Sequence, residues 1–204
     1  AVCDPELTLG LPPSLTAATG MDAMTHCIEA VLTPVVHPPA EAIGIDGAER
    51  ISKWLEVAVK DGGNRDARWH MMMGSFEGAL AFAKGLGAVH GLSHALGRIH
   101  DLKLHHGTLN AVILPHSLAM IGNAAEEKFA RLRRALGLAP NADLPQYIAD
   151  LNARLGLPAS LSAMGVTTAH WPGAREYAVS DIATLSNAVP FDGDKYDDLF
   201  QRAL

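Results

Sequence analysis

Apolar side chains recur every three or four positions along this chain, and no stretch alternates apolar with polar residues over the length of a strand. That periodicity restricts it to helices packed on helices, because a 3.6-residue repeat is what gathers such residues onto one face. Leu15, Ala18, Met21, Met24, Ile28 and Leu32 make one face, and Ile43, Gly47, Ile51, Leu55 and Val59 another. Proline and glycine clusters punctuate the pattern. The predicted helices cover 12–33, 40–60, 65–83, 86–99 and 109–122, the last bent at Pro115, whose ring removes a backbone bond. Shorter ones follow at 124–136, 143–155, 167–185 and 194–203. The opening dozen residues read as extended and 100–107 as a polar loop. The expectation is an all-α fold of eight or nine helices, with residues 1–204 forming a single domain. At 204 residues the chain buries roughly 70% of its unfolded surface, so it needs neither disulfide nor metal merely to fold.

Composition narrows the function. A net charge of −6 offers no basic field for nucleic acid or anionic lipid. Two cysteines, Cys3 and Cys27, cannot make a disulfide scaffold, which points to a reducing, cytoplasmic setting. No apolar run reaches the roughly 18 residues that a membrane helix needs, and no secretory leader opens the sequence. The chain starts at Ala1 in mid-phrase and reads as a piece of a longer protein.

Ten histidines are present, and six of them (His90, His94, His100, His105, His106, His116) fall between positions 90 and 116. Histidine is the commonest metal ligand, so the clustering is informative. His90 and His94 are four apart and share a helix face, as do Asp22 and His26 on another helix. The second pair lies among Gly20, Met21, Ala23, Met24, Cys27 and Ile28, where a buried aspartate calls for a compensating cation. Two helices presenting polar i,i+4 pairs from apolar stripes can enclose a divalent ion. One carboxylate with several imidazoles suits Zn²⁺ or Fe²⁺ better than Mg²⁺ or Ca²⁺. The competing reading is that Asp22 caps or pairs locally and His26 packs in the core.

Three blocks, DPELTLGLPPSLTAATGMDAMTHCIEA, AVHGLSHALG and HHGTLNAVILPH, occur in an order that resembles the iron-dependent (group III) alcohol dehydrogenase family over residues 4–137. The resemblance implies the family's C-terminal, all-helical, metal-binding domain. The Rossmann-like N-terminal domain that holds the dinucleotide has no counterpart in this sequence. Carried over by position, the metal ligands are Asp22, His26, His90 and His106, the last being the histidine before Gly107. His94 matches the family's histidine beside the nicotinamide, which helps to move the alcohol proton. The implied chemistry interconverts a small alcohol and an aldehyde with NAD or NADP, with Fe²⁺ or Zn²⁺ as Lewis acid toward the substrate oxygen. The implied partners are the missing dinucleotide-binding domain and the substrate, and a homodimer is compatible with it.

His105 neighbours the ligand position without matching it. His116 reads as serving its own helix, and His37, His70 and His170 as isolated surface or core residues. Cys27 reads as a small core residue. Two departures from the family pattern stand out. The stretch from Gly97 to His106 is about two residues longer than usual, and SNAVPF keeps Asn187 and Pro190 without the family's following arginine. A chain of this kind is expected to fold and bind metal yet not complete hydride transfer alone. Two rivals remain. One is a metal-dependent hydrolase, which needs a general base, and Glu29 reads as lying off the ligand face. The other is a non-catalytic helical interaction module.

Overall fold

The computed structural model describes residues 2–204, and every regular element among them is helical. Nine α-helices run in chain order: α1 (Pro13–Leu32), α2 (Pro38–Lys60), α3 (Arg65–Ala81), α4 (Ala88–Gly97), α5 (His106–Ile121), α6 (Glu126–Ala135), α7 (Leu144–Arg154), α8 (Trp171–Ser180) and α9 (Gly193–Ala203). Short 3-10 turns fill several connections. The all-α expectation holds.

Local chemistry sets most boundaries. Pro13, Pro38 and Pro39 stand in first turns, where a missing N–H costs nothing. His37, Asn64, Asp143 and Asp192 each accept a backbone N–H at the start of α2, α3, α7 and α9. α1 is buried on nearly every side and forms the centre, packed on α2, α3 and α5. Glycines let these helices approach closely: a Cβ on Gly47 would lie 2.7 Å from Cys27 Sγ, and one on Gly78 3.2 Å from Ala23 O. The C-terminus of α1 is closed by Lys84, whose buried ammonium donates to Val31 O, Thr33 O and Glu41 Oε2.

Four sequence expectations shift. The opening residues are not wholly extended: Asp4 accepts from Glu6 N, and Pro5–Thr8 form a 3-10 turn. α4 begins at Ala88 rather than 86, because Gly87 is extended and Asn187 Oδ1 takes the Ala88 N–H. The helix expected over 167–185 is broken at Asp181, whose extended backbone and side chain start a fresh 3-10 turn, Ile182–Ser186. α5 begins at His106, inside the stretch expected to be loop, and continues past Pro115 to Ile121. That proline leaves the carbonyl of Ala111 without its intrahelical donor, and Asn152 Nδ2 of α7 supplies one at 2.6 Å.

Candidate metal centre

α1, α4 and the first turn of α5 meet at one point. Asp22 comes from α1, His90 from the first turn of α4 and His106 from the first residue of α5. One donor atom from each lies within 4.8 Å of the other two. Asp22 Oδ1 stands 3.4 Å from His106 Nε2 and 3.9 Å from His90 Nε2. Backbone contact sets the α1–α5 spacing: a Cβ on Gly107 would fall 2.4 Å from the carbonyl oxygen of Ala18 and 3.1 Å from Asp22 Cβ. The glycine after His106 is thus required by clearance.

Asn110, one turn along α5, aims its Nδ2 into the same point. It lies 2.6 Å from Asp22 Oδ1 and 3.1 Å from both His90 Nε2 and His106 Nε2. An amide nitrogen carries two hydrogens, so three acceptors converge where only two can be served. Meanwhile Asn110 Oδ1 is buried with no partner at all. The cluster holds more lone pairs than donors, which is the condition that a divalent cation relieves. The donor set, one carboxylate oxygen and imidazole nitrogens, fits Zn²⁺ or Fe²⁺.

Glu29 fixes which His90 nitrogen faces this point. Its Oε1 accepts from Val89 N at 2.9 Å, and its Oε2 lies 2.6 Å from His90 Nδ1. With Nδ1 donating to the carboxylate, Nε2 keeps its lone pair toward Asn110 and the cluster. Sequence reasoning set Glu29 off the ligand face. The structure corrects that: Asp22, His26 and Glu29 are spaced i, i+4, i+7 and share one stripe of α1.

His26 comes into the neighbourhood without joining the three converging donors. Its ring stacks on His90, with centroids 4.6 Å apart, and lies 5.4 Å from Phe82. Burial, aided by the neighbouring His90, pulls His26 down to about 4. Burial also lowers His106. Both imidazoles are therefore neutral at pH 7, with lone pairs to offer. His94 stands at the rim, 43% exposed, its ring stacked 5.3 Å from that of His106. Its Nδ1 lies 3.0 Å from Asp181 Oδ2, a partner 87 positions away that no local pattern announces.

Three further histidines cap turns or helices. His105 caps α5 by accepting from Thr108 N, His37 caps α2, and His170 accepts from Thr167 N. His70 stacks on Trp54 at 4.4 Å. His116, half-buried on α5, is shifted down by burial. Cys27 is fully buried and Cys3 exposed. An apolar groove of about 370 Å³ passes Thr16, Arg68 and Phe76 between α1 and α3, and contains none of the cluster.

A carboxylate and imidazoles converging where three helices meet is an arrangement that can hold a divalent ion, as helix bundles do in metal-dependent enzymes. Comparison with known proteins makes this specific. Residues 16–204 match the model for the C-terminal part of the Fe-containing alcohol dehydrogenase family, and the chain belongs to that family. It is 54% identical over 174 residues to 4-hydroxybutyrate dehydrogenase of Cupriavidus necator, covering 82% of this chain and 46% of that protein. It is 35% identical to alcohol dehydrogenase 4 of Saccharomyces cerevisiae (strain ATCC 204508 / S288c), covering 100% of this chain and 54% of that one. The crystal structure of a 1,3-propanediol oxidoreductase superposes with a TM-score of 0.93 at 33% identity, covering 98% of this chain and 55% of that chain. The chain spans about half the length of the curated relatives it matches.

Proposed function

We propose that this chain is the metal-holding half of an NAD- or NADP-dependent alcohol dehydrogenase, in which Asp22, His26, His90 and His106 bind Fe²⁺ or Zn²⁺ and His94 handles the proton. The supporting observation is the convergence of Asp22 Oδ1, His90 Nε2 and His106 Nε2 on the Asn110 amide, which cannot satisfy all three. His26, four residues after Asp22 and stacked on His90, is the fourth ligand in this reading. The relatives' printed substrates support the class: 4-hydroxybutyrate for one, and 1,3-propanediol and methanol for two others. The unit is one helical domain, working in the cytoplasm beside a dinucleotide-binding domain; no described helix is long and apolar enough to cross a membrane.

When bound, the ion supplies Lewis acidity toward a hydroxyl or carbonyl oxygen, and a nicotinamide supplies the hydride acceptor. This chain's residues do the rest. Glu29 holds the His90 tautomer. Asp181 engages His94 Nδ1, leaving Nε2 to take the hydroxyl proton in the oxidising direction and return it in the reducing one. The hydrolase rival lacks its base, because both oxygens of Glu29 are engaged.

Metal content tests the proposal. Equilibrium dialysis of the purified chain against Zn²⁺ or Fe²⁺ is expected to leave one equivalent bound, and Asp22→Asn and His106→Ala each to lose it. Retention of metal by both variants, or none in the wild type, refutes the ligand set. The chain alone is expected to turn over no alcohol with NAD or NADP; activity on esters without nicotinamide would favour the hydrolase.

A further inference from the structure

Beyond the metal cluster, α4 carries a feature that the dehydrogenase reading leaves unused. Arg98 caps the C-terminus of α4, one turn after His94. Its guanidinium lies 4.0 Å from the centroid of the Tyr177 ring on α8. Stacked this way, the planar cation is held by its face, and its N–H edge stays free to grip an anion bidentately. The ion pairs among the described residues do not include Arg98. The carboxylate that lines the same pocket, Asp181, is committed to His94 Nδ1 at 3.0 Å and to Ala183 N at 2.9 Å.

His94, Arg98, Tyr177, Ser180, Asp181 and Ile182 line one pocket of about 280 Å³. His94 therefore has two neighbourhoods. Its ring face stacks on His106 beside the metal cluster, and it also lines a cavity that holds the unpaired guanidinium of Arg98. One helical turn separates His94 from Arg98, a rise of about 6 Å. A hydroxyl-bearing carbon joined to a carboxylate through two methylenes spans much the same length.

We propose that Arg98, steadied by Tyr177, is a carboxylate subsite, and that the preferred substrate is a short aliphatic alcohol or aldehyde with an anionic group two or three methylenes from its reacting carbon. This rests on the dehydrogenase reading and adds a specificity-determining residue to it. The carboxylate pairs with Arg98 while the hydroxyl or carbonyl end lies against His94, on the side that faces the metal cluster. Neutral alcohols of equal length leave the guanidinium to water, and cationic ones are repelled.

The test uses the full-length protein in which this helical half is joined to its dinucleotide-binding half, loaded with metal. The readout is kcat/KM with NAD or NADP for 4-hydroxybutanoate divided by that for butane-1,4-diol. The wild type is expected to favour the carboxylate. Arg98→Gln is expected to lower the ratio about tenfold, as loss of a charged hydrogen bond does, chiefly through KM for the acid. Arg98→Lys is expected to fall between, keeping the charge without the stacked fork. Arg98→Glu is expected to turn the preference toward 4-aminobutan-1-ol. Melting temperature and metal content of each variant identify one that has lost its fold, and the exposed position makes the lysine variant the safeguard. Turnover of the diol with a ratio that Arg98→Gln and Arg98→Glu leave unmoved overturns the subsite and leaves the dehydrogenase standing. Absence of turnover of both alcohols by the wild type overturns the dehydrogenase reading and the subsite with it.

Discussion

Replacing Glu29 by glutamine removes no volume and yet is expected to weaken metal binding substantially. The Glu29 side chain is 4% exposed and accepts at both oxygens, from Val89 N at 2.9 Å and from His90 Nδ1 at 2.6 Å. Glutamine has one acceptor and one NH₂ for the same two donors. If its oxygen stays on Val89 N, the NH₂ faces His90 Nδ1, and the imidazole shifts its proton to Nε2, losing the lone pair that the cluster needs. If its oxygen turns to His90, two donors oppose each other at Val89, which loosens the first turn of α4. Outer-shell partners of this kind are worth 10–100-fold in metal affinity, or about 1.4–2.7 kcal/mol. Competition titration of the purified chain against a chromogenic zinc chelator reads the change directly, with the metal-free melting temperature as control. An affinity within threefold of wild type, at equal apo stability, would show that His90 does not depend on Glu29 for its orientation.

Other substitutions and conditions have equally definite outcomes. Gly107→Ala forces a Cβ to within 2.4 Å of the Ala18 carbonyl, so it is expected to cost about 1–3 kcal/mol in denaturant unfolding and to lose metal as α5 backs away from Asp22; unchanged stability contradicts the clearance argument. Lys84→Met takes the ammonium from Val31 O and from one oxygen of Glu41, and about 3 kcal/mol of destabilisation is expected, the lower end because Lys128 still donates to Thr33 O and Arg131 still pairs with Glu41. His26 is held at about 4 when folded and returns to the ordinary 6.5 on unfolding, so the unfolded chain binds the extra proton. Stability of the metal-free chain therefore falls as pH drops from about 6.5 toward 4, by about 3 kcal/mol from His26 alone; a midpoint that is flat or rises across that window refutes the burial argument. Burial pushes the Cys27 thiol far above the thiol range, so a thiol reagent is expected to label the exposed Cys3 at once and Cys27 only on unfolding.

Legibility in the sequence followed the range of the interactions. The helices were readable because amphipathic spacing is local, and the pairs Asp22/His26 and His90/His94 because four residues make one turn. Helix limits failed where a distant side chain set them: Asn187 fixes the start of α4 from 99 positions away, and Asn152 lets α5 run through Pro115 from α7. The i+7 spacing of Glu29 from Asp22 is a usable signal for a shared helix face. Asn110 stood inside a recognised block, yet its aim at the cluster depends on how α5 docks on α1. Asp181 and Arg98 carry no pattern at all, since their roles arise from α4 and α8 lying side by side.

The segment 181–187 runs beside α4: Asp181 engages His94 in the last turns of the helix, while Ser186 and Asn187 take the N–H groups of Leu86 and Ala88 at its start. It works as a splint on the helix that carries both His90 and His94. The two stretches, nearly a hundred residues apart in the chain, therefore move as one mechanical part.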